Sequence, residues 1–162
     1  MVPVEKEMDI LKRIPHKRPF RFIDEIIAIN GDFVRGAYTF RMDEFFYTGH
    51  FPNHPTTPEA ILIETMGQIG VLPLGIFLMN SPQYYSNIIF TSSDVCFFQI
   101  VYPGQKVIVE SQKIYFRHNI LKCDVKMFHT AGSVVCSGLL CGMLLTELPA
   151  SRELSPGQLL ID

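Results

Sequence analysis

From Glu5 to Ile14 the apolar residues Met8, Leu11 and Ile14 recur at helical spacing. Pro15 then ends the run, because the residue before a proline is pushed out of the helical region. This predicts a short amphipathic helix at the N-terminus. Arg21 to Ile29 and Phe33 to Met42 flank Asn30-Gly31-Asp32. Asn-Gly supplies the positive φ angles of a tight reversal, so the two arms read as a hairpin. In the second arm Val34, Gly36, Tyr38 and Phe40 alternate with Phe33, Arg35, Ala37, Thr39 and Arg41, giving one apolar face and one mixed face.

Asp43 to Pro58 is crowded with Phe45, Phe46, Tyr47, Phe51, Pro52 and Pro55, which predicts an ordered loop rather than a regular element. A helix follows, with Thr57 as N-cap and Pro58 at the first helical position. It runs through Ala60, Ile61, Leu62, Ile63 and Met66 and is apolar nearly all round, so it should be buried. Glu64, Gln68 and Pro73 interrupt the stretch Ile61 to Met79, which therefore reads as a core helix and not as a membrane span of about 20 clean apolar residues.

Beyond it the pattern turns to strands: Ile88 to Ile100, Lys106 to Phe116, Ile120 to Phe128 and Val134 to Leu145, with turns at Pro103-Gly104, His118-Asn119 and Ala131-Gly132-Ser133. The sum is an α+β domain: a long hydrophobic central helix wrapped by a curved antiparallel sheet arranged as a hairpin and a meander. A second copy is expected to shield the sheet's edges. Residues 1–147 form this single domain, and 148–162, broken by Pro149, Pro156 and Gly157, reads as a peripheral tail.

Composition narrows the partners. With 48% hydrophobic and 19% charged residues over 162 positions the chain can bury a core without disulfide or structural metal. A net charge of -2 is poor footing for gripping phosphate backbones, so no nucleic acid is expected. Cys96, Cys123, Cys136 and Cys141 contain no C-x-x-C pair and read as reduced thiols of a cytoplasmic protein. Met1 to Glu7 carries no apolar run of the kind a signal peptide needs.

Three features carry candidate chemistry. Glu64 shares one stripe of an apolar helix with Gln68; a carboxylate there is costly unless paired, so it serves either acid-base chemistry or a structural Glu64–Gln68 hydrogen bond. His50, in Gly49-His50-Phe51-Pro52, lies just ahead of that helix and is a candidate base. His54 stands four residues on, but Pro52 and Pro55 exclude the helix that would make the two a metal pair, and no metal is expected. His16, His118 and His129 are taken as structural. Unpaired N–H groups near Glu59 and Ala60, at the helix start, can receive a developing oxyanion. Base, acid and oxyanion donor together suit removal of a proton beside a carbonyl and loss of a hydroxyl.

Ile14-Pro15-His16-Lys17-Arg18-Pro19-Phe20, Asp24, Gly49-His50-Phe51-Pro52-Asn53-His54-Pro55, Pro58 and Leu62-Ile63-Glu64-Thr65-Met66-Gly67-Gln68 together resemble the hot-dog 3-hydroxyacyl-[acyl carrier protein] dehydratases of fatty-acid synthesis. The resemblance implies a hot-dog fold and a homodimer with two sites at the subunit interface; a higher assembly of dimers, or pairing with a related chain, stays open. It implies that His50 removes the α-proton and that Glu64 of the other subunit assists loss of the 3-hydroxyl. Phe51, Pro58, Glu59, Ala60 and Gln68 would border the substrate, which rides on the phosphopantetheine of an acyl carrier protein, with no further cofactor. Glutamate at position 64 is similar to the branch that only dehydrates. Two departures stand out. Glu59 replaces a family glycine, putting a negative side chain beside the oxyanion position. Cys96-Phe97-Phe98-Gln99 lacks the family's basic residues, so Lys12, Arg13, Lys17, Arg18 and Arg21 become either a docking surface for the acidic carrier or an ordinary solvated patch. The rival readings are a hot-dog acyl thioesterase and, because of Glu59, a non-catalytic acyl-binding or partner subunit.

Overall fold

In the computed structural model, which describes residues 4–80 and 87–145, helix α1 (Val4–Arg13) forms where the sequence predicts and stops before Pro15. Its buried stripe is shifted: Met8 is exposed, while Ile10 and Ile14, four residues apart, pack into the core. Strands β1 (Glu25–Ile29) and β2 (Phe33–Thr39) make the expected hairpin, with Glu25 opposite Ala37. The reversal works differently from the expectation. Neither Asn30 nor Gly31 takes a positive φ; instead Asn30 Oδ1 accepts the N–H groups of Asp32 (2.8 Å) and Phe33 (2.9 Å). The left-handed pair falls at His118 (φ 49°) and Asn119 (φ 61°), a two-residue turn joining the fourth and fifth strands.

Strands β3 (Asn87–Phe97), β4 (Lys106–Arg117), β5 (Ile120–His129) and β6 (Val134–Leu145) complete one antiparallel sheet in the order β1-β2-β4-β5-β6-β3. Only β4, β5 and β6 form a meander. β3 crosses to the far edge and pairs with β6, so Pro103-Gly104 is the turn that leads into β4 rather than a hairpin loop between β3 and β4. There the Gly104 N–H (φ +85°) donates to the Phe40 carbonyl at 2.6 Å, tying β4 to the end of β2.

The central helix is α2 (Glu59–Gly70) followed at once by α3 (Leu72–Met79), with the break at Val71. Pro73 has no N–H to return to the preceding turn, which accounts for the break. Pro58, not Thr57, is the N-cap of α2; Thr57 is spent elsewhere, on Tyr47 and Val101. By length and hydropathy Glu59–Met79 could cross a membrane, but 72% of its most apolar window is buried inside the fold, as befits a core helix under a sheet. Leu62, Met66, Ile69 and Leu74 pack against Val109, Leu121, Val125, Met127 and Leu140 from the strands. The helix meets β2 at bare backbone: a Cβ on Gly36 would lie 2.8 Å from Ile69 Cγ2 and 2.7 Å from the Glu25 carbonyl oxygen.

The tail expected over residues 148–162 lies outside the described residues. Among the described residues strand β3 pairs with β6 alone, which leaves its outer edge unpaired, and it exposes Ile89, Phe90 and Phe97, continued by Phe98 and Ile100.

Cys123, Cys136 and Cys141 are buried free thiols. Burial pushes the Cys123 thiol up to about 11 and the Cys136 thiol up to about 12. Maleimide at pH 8 should therefore leave these two unmodified in the native protein and label both in urea, read by mass spectrometry. Rapid native labelling of either would contradict the packing described.

Candidate active site

Residues 44 to 57 hold His50 through a chain of local contacts. Glu44 is buried and accepts hydrogen bonds from the Tyr38 hydroxyl and from the Arg41 N–H (3.2 Å), with the Arg41 guanidinium 3.7 Å from its second oxygen. Burial, together with the hydrogen bond to Glu44, pushes the Tyr38 phenol well above its ordinary range, so it stays a donor. This anchors a 3-10 turn at Phe45–Thr48, where the sequence pattern predicts only loop. The Gly49 and His50 N–H groups both donate to the Phe46 carbonyl (3.3 and 3.0 Å), and the Thr56 N–H returns to the His50 carbonyl at 2.9 Å. Tyr47 and Thr57 share a buried hydroxyl contact of 2.7 Å, and the Thr57 N–H reaches the Val101 carbonyl at 2.8 Å. The segment is loop in outline but bonded throughout.

His50 Nδ1 lies 3.0 Å from the Thr56 carbonyl oxygen and 3.3 Å from Thr56 Oγ1. A carbonyl can only accept, so in the neutral ring the proton sits on Nδ1 and Nε2 carries the lone pair. The ring stacks on Phe51, with centroids 4.2 Å apart. His50, Phe51, Thr56, Thr57, Glu59, Leu62, Phe97, Gln99 and Ile100 line a cavity of about 270 Å³. At its floor α2 begins. The Ile61 and Leu62 N–H groups both turn to the Pro58 carbonyl, which leaves those of Glu59 and Ala60 ahead of the first bonded turn. Glu59 and Ala60 are exposed, Pro58 is half-buried, and the Glu59 side chain lines the cavity while that of Ala60 does not.

Glu64 faces a different cavity, of about 210 Å³, lined by His16, Phe20, Glu64, Gly67, Gln68, Val71, Leu72, Ile88 and Phe90. Glu59 and Glu64 are five residues apart on one helix and so point to different sides of it. Within one chain, therefore, the imidazole and the carboxyl do not share a cavity. Gln68 fixes the carboxyl. Its Oε1 accepts the Phe22 N–H at 2.7 Å, and its Nε2 donates to the Phe20 carbonyl at 3.0 Å and to Glu64 Oε1 at 2.8 Å. Both amide protons are committed, so Gln68 borders this cavity chiefly as the residue that orients Glu64. Gly67 brings the helix backbone against Phe90: a Cβ there would lie 1.9 Å from Phe90 Cζ.

His16 was expected to be structural, yet its Nε2 stands 3.6 Å from Glu64 Oε1, and burial pulls its pKa down against the pull of that carboxylate. It is the site residue that sequence reasoning missed. The available signal was its place in the proline-bounded block Ile14 to Phe20; periodicity says nothing of a loop. Of the basic run, Lys12, Lys17 and Arg18 are exposed and Arg13 is half-buried. Arg21 departs from the expectation of a docking cation: its guanidinium turns inward to the Leu11 (3.1 Å) and His16 (3.5 Å) carbonyls and fastens the loop to α1. Among the described residues no group of three His, Cys, Asp or Glu side chains is placed to hold a metal.

Known proteins resemble this chain in sequence and in fold. The chain is 32% identical over 131 residues to the 3-hydroxyacyl-[acyl-carrier-protein] dehydratase FabZ of Caldicellulosiruptor bescii, spanning 80% of this chain and 91% of that protein. It is 30% identical over 147 residues to the enzyme of the same name from Lawsonia intracellularis, spanning 90% and 92%. Among solved structures, the dehydratase heterocomplex ApeI:P from Xenorhabdus doucetiae aligns with a TM-score of 0.68 at 12% identity, covering 85% of this chain and 91% of that one. A hypothetical thioesterase with coenzyme A from Streptococcus pneumoniae aligns at 0.62 and 12%, covering 88% and 98%. These two likenesses establish the hot-dog fold. A FabA-like domain matches residues 14–139, and on that match, joined to the dehydratase relatives, the chain belongs to the FabA-like family.

Proposed function

We propose that the protein dehydrates 3-hydroxyacyl-[acyl carrier protein] thioesters to trans-2-enoyl thioesters, in fatty-acid synthesis or a related specialised pathway. The observation that carries this reading is the division of the machinery between two cavities, an imidazole with a free Nε2 in one and an amide-anchored carboxyl in the other. His50 Nε2 takes the α-proton, and the thioester oxygen that gains charge is met by the Glu59 and Ala60 N–H groups at the start of α2. Glu64 gives its proton to the 3-hydroxyl, which leaves as water. Atoms balance without a redox cofactor, and the acyl group stays on its phosphopantetheine arm.

The two halves meet when β3 pairs with the β3 of a second copy. An antiparallel pairing centred between Ser93 and Asp94 sets Phe90 of one copy opposite Phe97 of the other, joining the walls of the two kinds of cavity. Such pairing also covers the unpaired apolar edge of β3. His50 would then work with Glu64 of the partner subunit. Lys12, Lys17 and Arg18 stand exposed in the segment whose His16 and Phe20 line the Glu64 cavity, which suits the approach of an acidic carrier protein.

Three measurements test this. Purified protein should hydrate a trans-2-enoyl thioester and dehydrate the 3-hydroxyacyl form, and His50→Ala and Glu64→Gln should each lower kcat by about 100-fold or more. Unchanged rates in both variants would refute the assigned roles, and release of free thiol would reassign the chemistry to hydrolysis. Co-expressing the two variants should restore about a quarter of wild-type activity, since half the pairs are hybrids and each hybrid has one intact site. No recovery in proven hybrids would rule out a shared site. Glu59→Gly should raise kcat several-fold by removing a negative group from the oxyanion position, while lowering stability by about 1 kcal/mol through loss of the acidic first-turn residue and gain of a flexible one. A fall in kcat would mean that the carboxylate assists turnover.

A further inference from the structure

We propose that His16 is a positioning residue for Glu64, a neutral imidazole whose Nε2–H supports Glu64 Oε1 and strengthens its hold as the carboxyl gives up its proton. The inference rests on the dehydratase reading and adds a third residue to its acid half. Glu64 is held by one oxygen: Oε1 receives Gln68 Nε2–H at 2.8 Å, and His16 Nε2 lies 3.6 Å from the same atom. In the protonated form that the acid step requires, the oxygen that accepts donors is the carbonyl-type one, so the transferable proton would sit on Oε2 and face a bound hydroxyl.

The tautomer of His16 follows from its surroundings. Nδ1 is buried and has no hydrogen-bond partner among the described residues, whereas Nε2 faces an acceptor, so the proton of the neutral ring belongs on Nε2. A second proton would leave a buried charged N–H at Nδ1 unsatisfied. Of the charged groups facing the ring, Glu64 favours that second proton, while Arg21, whose guanidinium bonds the His16 carbonyl, opposes it. The Phe20 ring lies beside it, with centroids 6.5 Å apart.

At 3.6 Å the N–H contributes little to a neutral carboxyl, but its attraction grows as negative charge builds on Glu64, so the interaction favours the transition state over the ground state. Catalytic contacts of this kind are often long until substrate closes the site.

Kinetics and nitrogen NMR test the proposal together. His16→Phe keeps a ring but no donor and should lower kcat by about 10- to 100-fold, with KM changed less than about twofold. His16→Gln places an amide N–H near the position of Nε2 and should return kcat to within about threefold of wild type. Melting temperatures of both variants show whether either has simply lost its fold. A folded His16→Phe with wild-type kcat, or a folded His16→Gln no better than His16→Phe, would overturn the role. In the wild-type protein, two-bond ¹⁵N correlation spectra at pH 7 should show His16 neutral and protonated at Nε2, with that resonance displaced in Glu64→Gln. A doubly protonated ring, or a resonance indifferent to Glu64→Gln, would overturn the pairing. The spectra need no turnover, so failure of the parent reading, seen as a wild-type protein that dehydrates nothing, is distinguishable from failure of this one.

Discussion

The arrangement depends on one buried amide. Gln68 sits on an otherwise apolar helix, almost without exposure, and its carbonyl and both its protons are engaged. Two of the three bonds go to the backbone of Phe20 and Phe22, more than forty residues away, and the third to Glu64. An unpaired amide in this position would cost about 1–3 kcal/mol, so the strand entry at Phe22 and the carboxyl at Glu64 are fixed by the same requirement. The loop carrying His16 is thereby fastened at one end by Gln68 and along its length by the inward-turned Arg21.

The surroundings of His50 are built by different means. His50 is held not by a buried amide on a helix but by a folded loop whose bonds run mostly between backbone groups, anchored beneath by Glu44 with Tyr38 and Arg41. Both halves abut the same helix, from which Glu59 and Glu64 face opposite cavities. A single helix thus lines two separate cavities.

Much of this was legible in the residues. The strand boundaries follow from period-2 alternation, as in Leu121, Cys123, Val125 and Met127, all buried, against the wetter Lys122, Asp124 and Lys126. What local pattern could not disclose was order in space. The crossing of β3 to the far edge depends on pairing with β6, a contact with no signature in either strand alone. The same holds for the Asn30 turn, where a side chain supplies the bonds that positive φ angles were expected to supply, and for the break at Val71, which Pro73 foretold as an interruption without saying that the helix would resume at once. In the site, Glu64, Gln68 and His50 stood out as polar residues in apolar or proline-rich company, whereas His16 lay in a polar loop, and its importance arises from a long-range contact.

At Gly67 a hydrogen is the whole of the side chain. Phe90 rests directly on the helix backbone at that point, and both line the Glu64 cavity. Glycine and alanine codons differ by one nucleotide, so a lineage could alter the bore of this cavity in a single mutational step, leaving His50, Glu64 and their hydrogen-bonding partners untouched. The gene thus holds the shape of its binding space and the chemistry beside it on separate, independently mutable positions.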